Sequence, residues 1–349
     1  MTETPATQSG PMATVTPGRA TTIAAVARRL FIRLGVLPFF LAGALIIFSI
    51  TSDRFLSVDN LVNVARQSVY LLLVSLGQML VLITGGFDLS VGAAVAVTSV
   101  VSALAMTTLG AMFPDAVWLV IIGGALAGFC AAALIGLGNG IGVAYFGVSP
   151  FIMTLGVSSV AAGISLFLTG GVPVSGLPFA FADLFGFGRL FGVPVPVLVA
   201  IVAALAMWVV MTRTRIGMHV YAIGGNMKAA HLSAIHTRRT LIFAYVICAL
   251  IASLTGLLLT ARVESGEANL GGTIALESIA ACVIAGVSLR GGIGRVENVV
   301  LGAFFIVLVQ NGMNLAQVSS YMQMVLLGLL LILAVVFDQI RYRMLMGRG

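Results

Sequence analysis

Ten stretches of this chain are apolar for the length that a bilayer demands, and this constrains its fold more than any other feature. They run at 34–51, 61–84, 91–110, 116–137, 150–169, 194–212, 240–261, 274–289, 299–316 and 320–337. A helix needs about 20 residues to cross the hydrocarbon core. None of the runs alternates as a strand does, so helices rather than a barrel must satisfy the backbone in lipid. The expected fold is an all-α membrane protein, a polytopic bundle of about ten transmembrane helices. Ten such spans leave no room in 349 residues for a sizeable soluble domain. Charged residues are 8% of the chain, against about 25% in soluble domains.

Charge placement gives the orientation. With the N-terminus inside, Arg19, Arg28, Arg29, Arg33, Arg213, Arg215, Lys228, Arg238, Arg239, Arg290, Arg295, Arg341, Arg343 and Arg348 all fall on the cytoplasmic side. Only Arg54, Arg66, Arg189 and Arg262 do not. Such asymmetry orients spans, and both termini come out cytoplasmic. The net charge of +7 therefore reports topology and not nucleic-acid binding. Residues 1–30 read as a disordered cytoplasmic tail with no cleavable signal pattern. Residues 31–338 form the membrane domain, and 339–349 a basic cytoplasmic tail. Ten spans divide into five and five, which allows an inverted repeat. GGFDLSVG at Gly85 and GGIGRVEN at Gly291 share only paired glycines.

The one long polar stretch between spans, 213–239, holds the only lysine, Lys228. Helix–helix connections usually take 2 to 8 residues, so this length points to a docking surface. A solvated positive-inside loop is the plainer alternative. Asn226 is a fair N-cap for a short helix, on which Met227, Ala230 and Ala234 share a face. Between the second and third runs, Gly85 and Gly86 permit a sharp turn, and Asp88 or Ser90 can cap the next helix. A capped turn explains this motif at least as well as an ion site.

Arg66, Gln67, Gln78, Asn139, Glu277, Gln310, Asn311 and Asn314 interrupt the apolar runs. Polar groups at membrane depth face a bundle interior or a wet cavity. For the amides, interhelical bonding and a pathway role stand equal, and Glu277 leans toward a pathway. Cys130, Cys248 and Cys282 lie inside apolar runs without metal-ligand spacing. There is no phosphate-binding loop, no H-E-x-x-H and no G-x-S-x-G. No enzymatic activity, cofactor or metal is expected.

Together, GGFDLSVG, SPFIMTLG from Ser149, LTGGVPV from Leu168, GGNMKAAHLSAIH from Gly224 and TIALESIAACVIAGVSLRGGIGRVENVVLGA from Thr273 carry a resemblance. The chain resembles the sugar-type permeases of bacterial ATP-binding-cassette importers, the ribose, xylose and galactose group, over about 35–340. Phe87, His231, Ala234 and Asn298 depart from the family's commoner Ile, Arg, Gly and Gly. The resemblance implies a multi-pass protein of the bacterial inner membrane with three protein partners: a cytoplasmic ATPase, a periplasmic solute-binding protein and a second permease subunit, identical or not. Membrane lipid surrounds it. It implies that Gly225, Asn226, Lys228, Ala229, Ala230, Leu232, Ser233 and Ile235 couple to the ATPase. Asn139, Glu277, Asn311 and Asn314 are expected to line or brace the pathway, and Asp183, Glu264 and Glu267 to meet the binding protein. The rival is an ion-coupled secondary transporter using Asp88 or Glu277.

Overall fold

The computed structural model describes residues 37–345; the tail expected over 1–30 and residues 346–349 lie outside them. Apart from a short helical segment over 179–187, the helices are α1 (Leu37–Thr51), α2 (Val58–Ile83), α3 (Val91–Met112), α4 (Val117–Ala144), α5 (Pro150–Thr169) and α6 (Val195–Arg213). They continue as α7 (Arg215–Gly225), α8 (Met227–Leu232), α9 (Thr237–Val263), α10 (Ile274–Ile284), α11 (Val296–Leu315) and α12 (Ser320–Leu345). Among the described residues the only named strands are β1 (Arg189–Leu190) and β2 (Val193–Pro194), an antiparallel pair. Seven helices are long and apolar enough to cross a membrane: α2, α3, α4, α5, α6, α9 and α11. Apolar helices of shorter length lie at Leu37–Thr51, Ile274–Ile284 and Ser320–Val336.

Local chemistry sets the ends. Ser57 caps α2, accepting the N–H of Asn60 at 3.3 Å. Pro150 opens α5, where its missing N–H costs nothing, and Gly170 closes it in the left-handed region at φ 61°. Several boundaries differ from those read in the sequence. The fourth run continues to Ala144, because nothing at Asn139-Gly140 breaks a helix that is packed there. The stretch 213–239 is not a loop but two helices, α7 and α8, joined at Asn226. The last helix reaches Leu345, beyond the boundary set at 338.

α2, α3 and α9 form the centre, with α10 and α11 against α2. The apolar window of α2 is 78% buried, whereas those of α5 and α6 are 17% and 22%, so α5 and α6 form an exposed apolar rim. Small residues let backbones touch, as in membrane bundles generally. A Cβ on Gly136 would lie 2.6 Å from the Tyr245 carbonyl, and one on Gly140 2.7 Å from the Ile242 Cα, so α4 lies directly on α9.

Two connections run deep. The α2–α3 turn is sealed, with Thr84, Asp88 and Ser90 all buried. The chain leaving α9 pairs with a distant loop, Val174 and Gly266 exchanging both backbone bonds at 2.9 Å. The Glu267 N–H then donates to Ser99 Oγ at 3.0 Å. Gly266 lies against Ser99 and Ala103 of α3, and Gly271 against Gly92 at the start of α3. Between those two contacts the chain descends roughly two to three turns of α3, on the order of 10–16 Å. Irregular backbone at that depth survives only when buried in protein or facing a cavity. Here α3 covers one side, while Asn269, Gly272 and Thr273 are exposed on the other.

Candidate functional site

The site begins at the short helix α8. Asn226, in extended backbone, accepts the N–H of Ala229 on its side chain at 3.0 Å, as its sequence position predicts. The expected shared face of Met227, Ala230 and Ala234 does not form. Ala230 is buried against Ile223, Leu241 and Ile235 of its own chain, so it holds α8 in place and faces no partner. Ala234 lies past the helix end at φ 60°. That conformation costs an L-residue roughly 1–2 kcal/mol, a cost that glycine would not carry.

The exposed surface is formed by Met227, Lys228, Ala229, Leu232 and Ser233, with Leu232 86% exposed. Of these, Met227, Lys228 and Leu232 border a hollow of about 1080 Å³ whose apolar walls include Tyr145, Met227, Leu232 and Ile235. Arg238, stacked over the Tyr145 ring at 5.1 Å, and Arg239 add positive charge at its edge. Apolar anchors ringed by cations suit an acidic-rimmed groove on a soluble partner. Gly225 is exposed, with open space where a Cβ would project.

α7 joins this surface to the membrane core. Thr214 caps α7 through the Gly217 N–H. At its far end Gly224 is pressed onto the Ile83 carbonyl and the Gly292 N–H, with no room for a side chain. The Gly292 N–H also donates to the Ile83 carbonyl at 2.8 Å. A Cβ on Gly291, at φ 88°, would lie 2.9 Å from the Gly224 carbonyl and 3.0 Å from the Gly85 nitrogen. The Tyr221 hydroxyl donates to the Gly294 carbonyl at 2.8 Å. The two glycine pairs noticed in sequence thus meet in space, on either side of Gly224. In the sequence Gly224 stood out only as the first residue of GGNMKAAHLSAIH, and Tyr221 not at all.

The α2–α3 turn is held from four helices. The Asp88 carboxylate accepts from the Ser90 N–H at 2.8 Å and from the Ser90 hydroxyl at 2.6 Å. Asn139 donates to Ser90 Oγ at 2.7 Å, and the Leu89 N–H donates to Thr154 Oγ1 at 3.1 Å. In the orientation that satisfies both groups, the Gln78 amide bonds the Asp88 carbonyl at 3.0 Å and its N–H at 3.3 Å. The Tyr245 hydroxyl donates to the Phe87 carbonyl at 3.3 Å, and Gly86 lies against that hydroxyl. Burial pushes the Asp88 carboxyl up from the ordinary carboxylate range, and the Ser90 bonds draw it partly back. Ser90 sits at the N-cap position but caps nothing with its own side chain.

The expected pathway residues separate. Asn139 is fully buried and braces the α2–α3 turn through Ser90. Asn311 is buried in a reciprocal amide pair with Asn60 at 2.8 and 3.0 Å, again a brace. Asn314 is exposed and accepts from Gln323 at 2.8 Å. Glu277 is half-buried, bonded to Thr273 Oγ1 at 2.8 Å, beside a 210 Å³ groove between α10, α11 and α12. Asp183 and Glu264 are exposed, and Glu267 is half-buried.

Seven helices long and apolar enough to cross a membrane, packed around buried non-helical connections, define an all-α polytopic membrane protein. The chain belongs to the family described as branched-chain amino acid transport system / permease component, whose model matches residues 60–335. It is 35% identical to the D-allose transport system permease protein AlsC of Escherichia coli (strain K12), over 86% of this chain and 90% of that protein. It is 37% identical to the ribose import permease protein RbsC of the same organism, over 84% and 89%. Identity to the galactose/methyl galactoside import permease protein MglC of Haemophilus influenzae is 36%, over 82% and 88%. No solved structure matches.

Proposed function

We propose that this chain is the membrane-spanning subunit of an ATP-driven sugar importer in a bacterial inner membrane. A cytoplasmic ATPase docks on α8, a periplasmic binding protein delivers solute to the opposite face, and a second permease subunit completes the path. The permease performs no covalent chemistry and moves solute by alternating access. The observation that carries this reading is the docking turn. Its apolar exposed face, Met227 and Leu232 beside Lys228 and Arg238, stands on the side where the basic residues concentrate. The sugar class rests on the ribose, allose and galactose permeases the chain is similar to.

Ten spans with both termini cytoplasmic complete the proposal, with α1, α10 and α12 joining the seven long helices. An impermeant thiol reagent on intact spheroplasts is expected to label a cysteine placed at Asp183 or Asp115. A cysteine at Lys228 should label only after the membrane is opened. Labelling at Lys228 from outside contradicts the orientation and with it the docking role of α8. The ion-coupled alternative gains no support from Asp88, which is sealed beneath the turn it orders.

A further inference from the structure

α6 is long and apolar enough to cross a membrane, and where it ends a polar hollow opens beside it. We propose that this hollow binds the phosphate headgroup of an anionic phospholipid, held by Arg213 and Arg295. The inference needs α6 to cross a membrane and does not depend on what the protein transports.

The hollow measures about 850 Å³ and is bounded by the end of α6, by α7, by the turn over 286–294 and by the start of α11. Arg213 and Arg295 line it and are both exposed, so their guanidinium groups are free to meet an occupant. The acid in its lining, Glu297, accepts from Trp208 Nε1 at 2.6 Å. Two cations against one acid leave the lining positive. Arg213 lies over the Trp208 ring at 5.8 Å, and the charges of Glu297 and Arg295 both bear on the Tyr221 hydroxyl. The start of α11 adds to the field. Its N-cap is Arg295, which offers no side-chain acceptor, and no side chain caps the helix. The first-turn N–H groups and the helix dipole therefore favour an anion in the same hollow.

Depth decides between a lipid and a soluble anion. Trp208 precedes Arg213 on α6 by about 7–8 Å of helix. Indole rings gather where hydrocarbon gives way to headgroups. On the same helix Val202, Leu205 and Val209 are exposed at the spacing of a single face, a surface suited to acyl chains. A phospholipid lying on that face carries its phosphate to the level of Arg213. Basic hollows between helices at this level recognise anionic headgroups, and the guanidinium fork matches phosphate oxygens. Residues 1–36 make a poor rival occupant, because they hold Arg19, Arg28, Arg29 and Arg33 against the single acid Glu3. In the sequence Arg213 and Arg295 are orientation signals on separate segments, and the fold brings both to one hollow.

The test uses the full chain with Trp118→Phe, which leaves Trp208 as the sole tryptophan, in phosphatidylcholine vesicles. Phosphatidylglycerol or phosphatidylcholine carrying dibrominated acyl chains is titrated in, and quenching of Trp208 reports which lipid occupies the hollow. Phosphatidylglycerol should be preferred about tenfold or more. Arg213→Gln and Arg295→Gln should each cut that preference about fivefold, and together abolish it. Arg213→Lys should keep most of it, and Arg189→Gln, an exposed arginine elsewhere, should leave it unchanged. Both glutamine variants alter exposed side chains, so unchanged melting in detergent is expected and checks the fold. Four results overturn the proposal: equal quenching by the two lipids, a preference that survives loss of both arginines, protection by millimolar glycerol 3-phosphate, or loss of the preference once the partner ATPase docks. The third would make the occupant a soluble phosphate, and the fourth would give the hollow to the ATPase interface. Failure of ATP-driven uptake would leave the lipid result untouched.

Discussion

Gly224→Ala is expected to destroy the folded protein, and Gly225→Ala, one residue further on, to leave it intact. The difference lies in what a single methyl group would meet. At Gly224 it would overlap the Ile83 carbonyl and the Gly292 N–H, both backbone groups in turns that cannot retreat independently. Those turns are also bonded to each other through Gly292 N–H and Ile83 O, so moving one drags the other. Overpacking against flexible side chains costs about 1–3 kcal/mol, and backbone contacts yield less readily than side chains do. At Gly225 a Cβ points into open space. Thermal unfolding of the two variants in detergent checks this. Gly224→Ala should melt many degrees lower or fail to accumulate, and equal melting curves would mean that the three-way contact is not tight.

Charge placed on α8 should separate anchoring from docking. Ala230→Asp buries a carboxylate between Ile223 and Leu241, and an unpaired buried charge is among the few changes that destabilise severely. Leu232→Asp changes a side chain that is almost wholly exposed in this chain and should leave its melting temperature unaltered. If Leu232 is an apolar anchor for the ATPase, its loss removes about 2 kcal/mol or more of binding, or roughly thirtyfold in affinity. Co-purification of the ATPase and its solute-stimulated hydrolysis should then disappear. Lys228→Ala should slow association more than it weakens the complex, as rim charges do. Intact co-purification with Leu232→Asp would reduce α8 to a solvated connector.

The seven long apolar helices were legible because bilayer length and apolar composition are local properties. Pro150, Asn226 and the paired glycines marked ends that the fold uses. What sequence could not give was which side of each residue is covered. Ala230 and Leu232 are both apolar residues on one short helix, yet only tertiary packing decides that the first faces Leu241 and the second faces outward. Asn139 and Arg66 both interrupt apolar runs. One is fully buried and bonded to Ser90 of a distant turn, and the other is half-buried, with its Nε covered and without a partner among the described residues. The course of residues 266–271 along α3 was illegible for the same reason, since a turn-rich segment of small residues reads as an outer loop until the surface it lies on is known. The meeting of the two glycine pairs depends on Gly224, which belongs to neither turn.

The most direct measurement is solute uptake into proteoliposomes holding this permease, its partner ATPase and the binding protein. Accumulation of a sugar should require ATP on the α8 side, persist when proton and sodium gradients are collapsed by ionophores, and vanish with Leu232→Asp. Uptake that proceeds without ATP and stops with the ionophores would contradict the account.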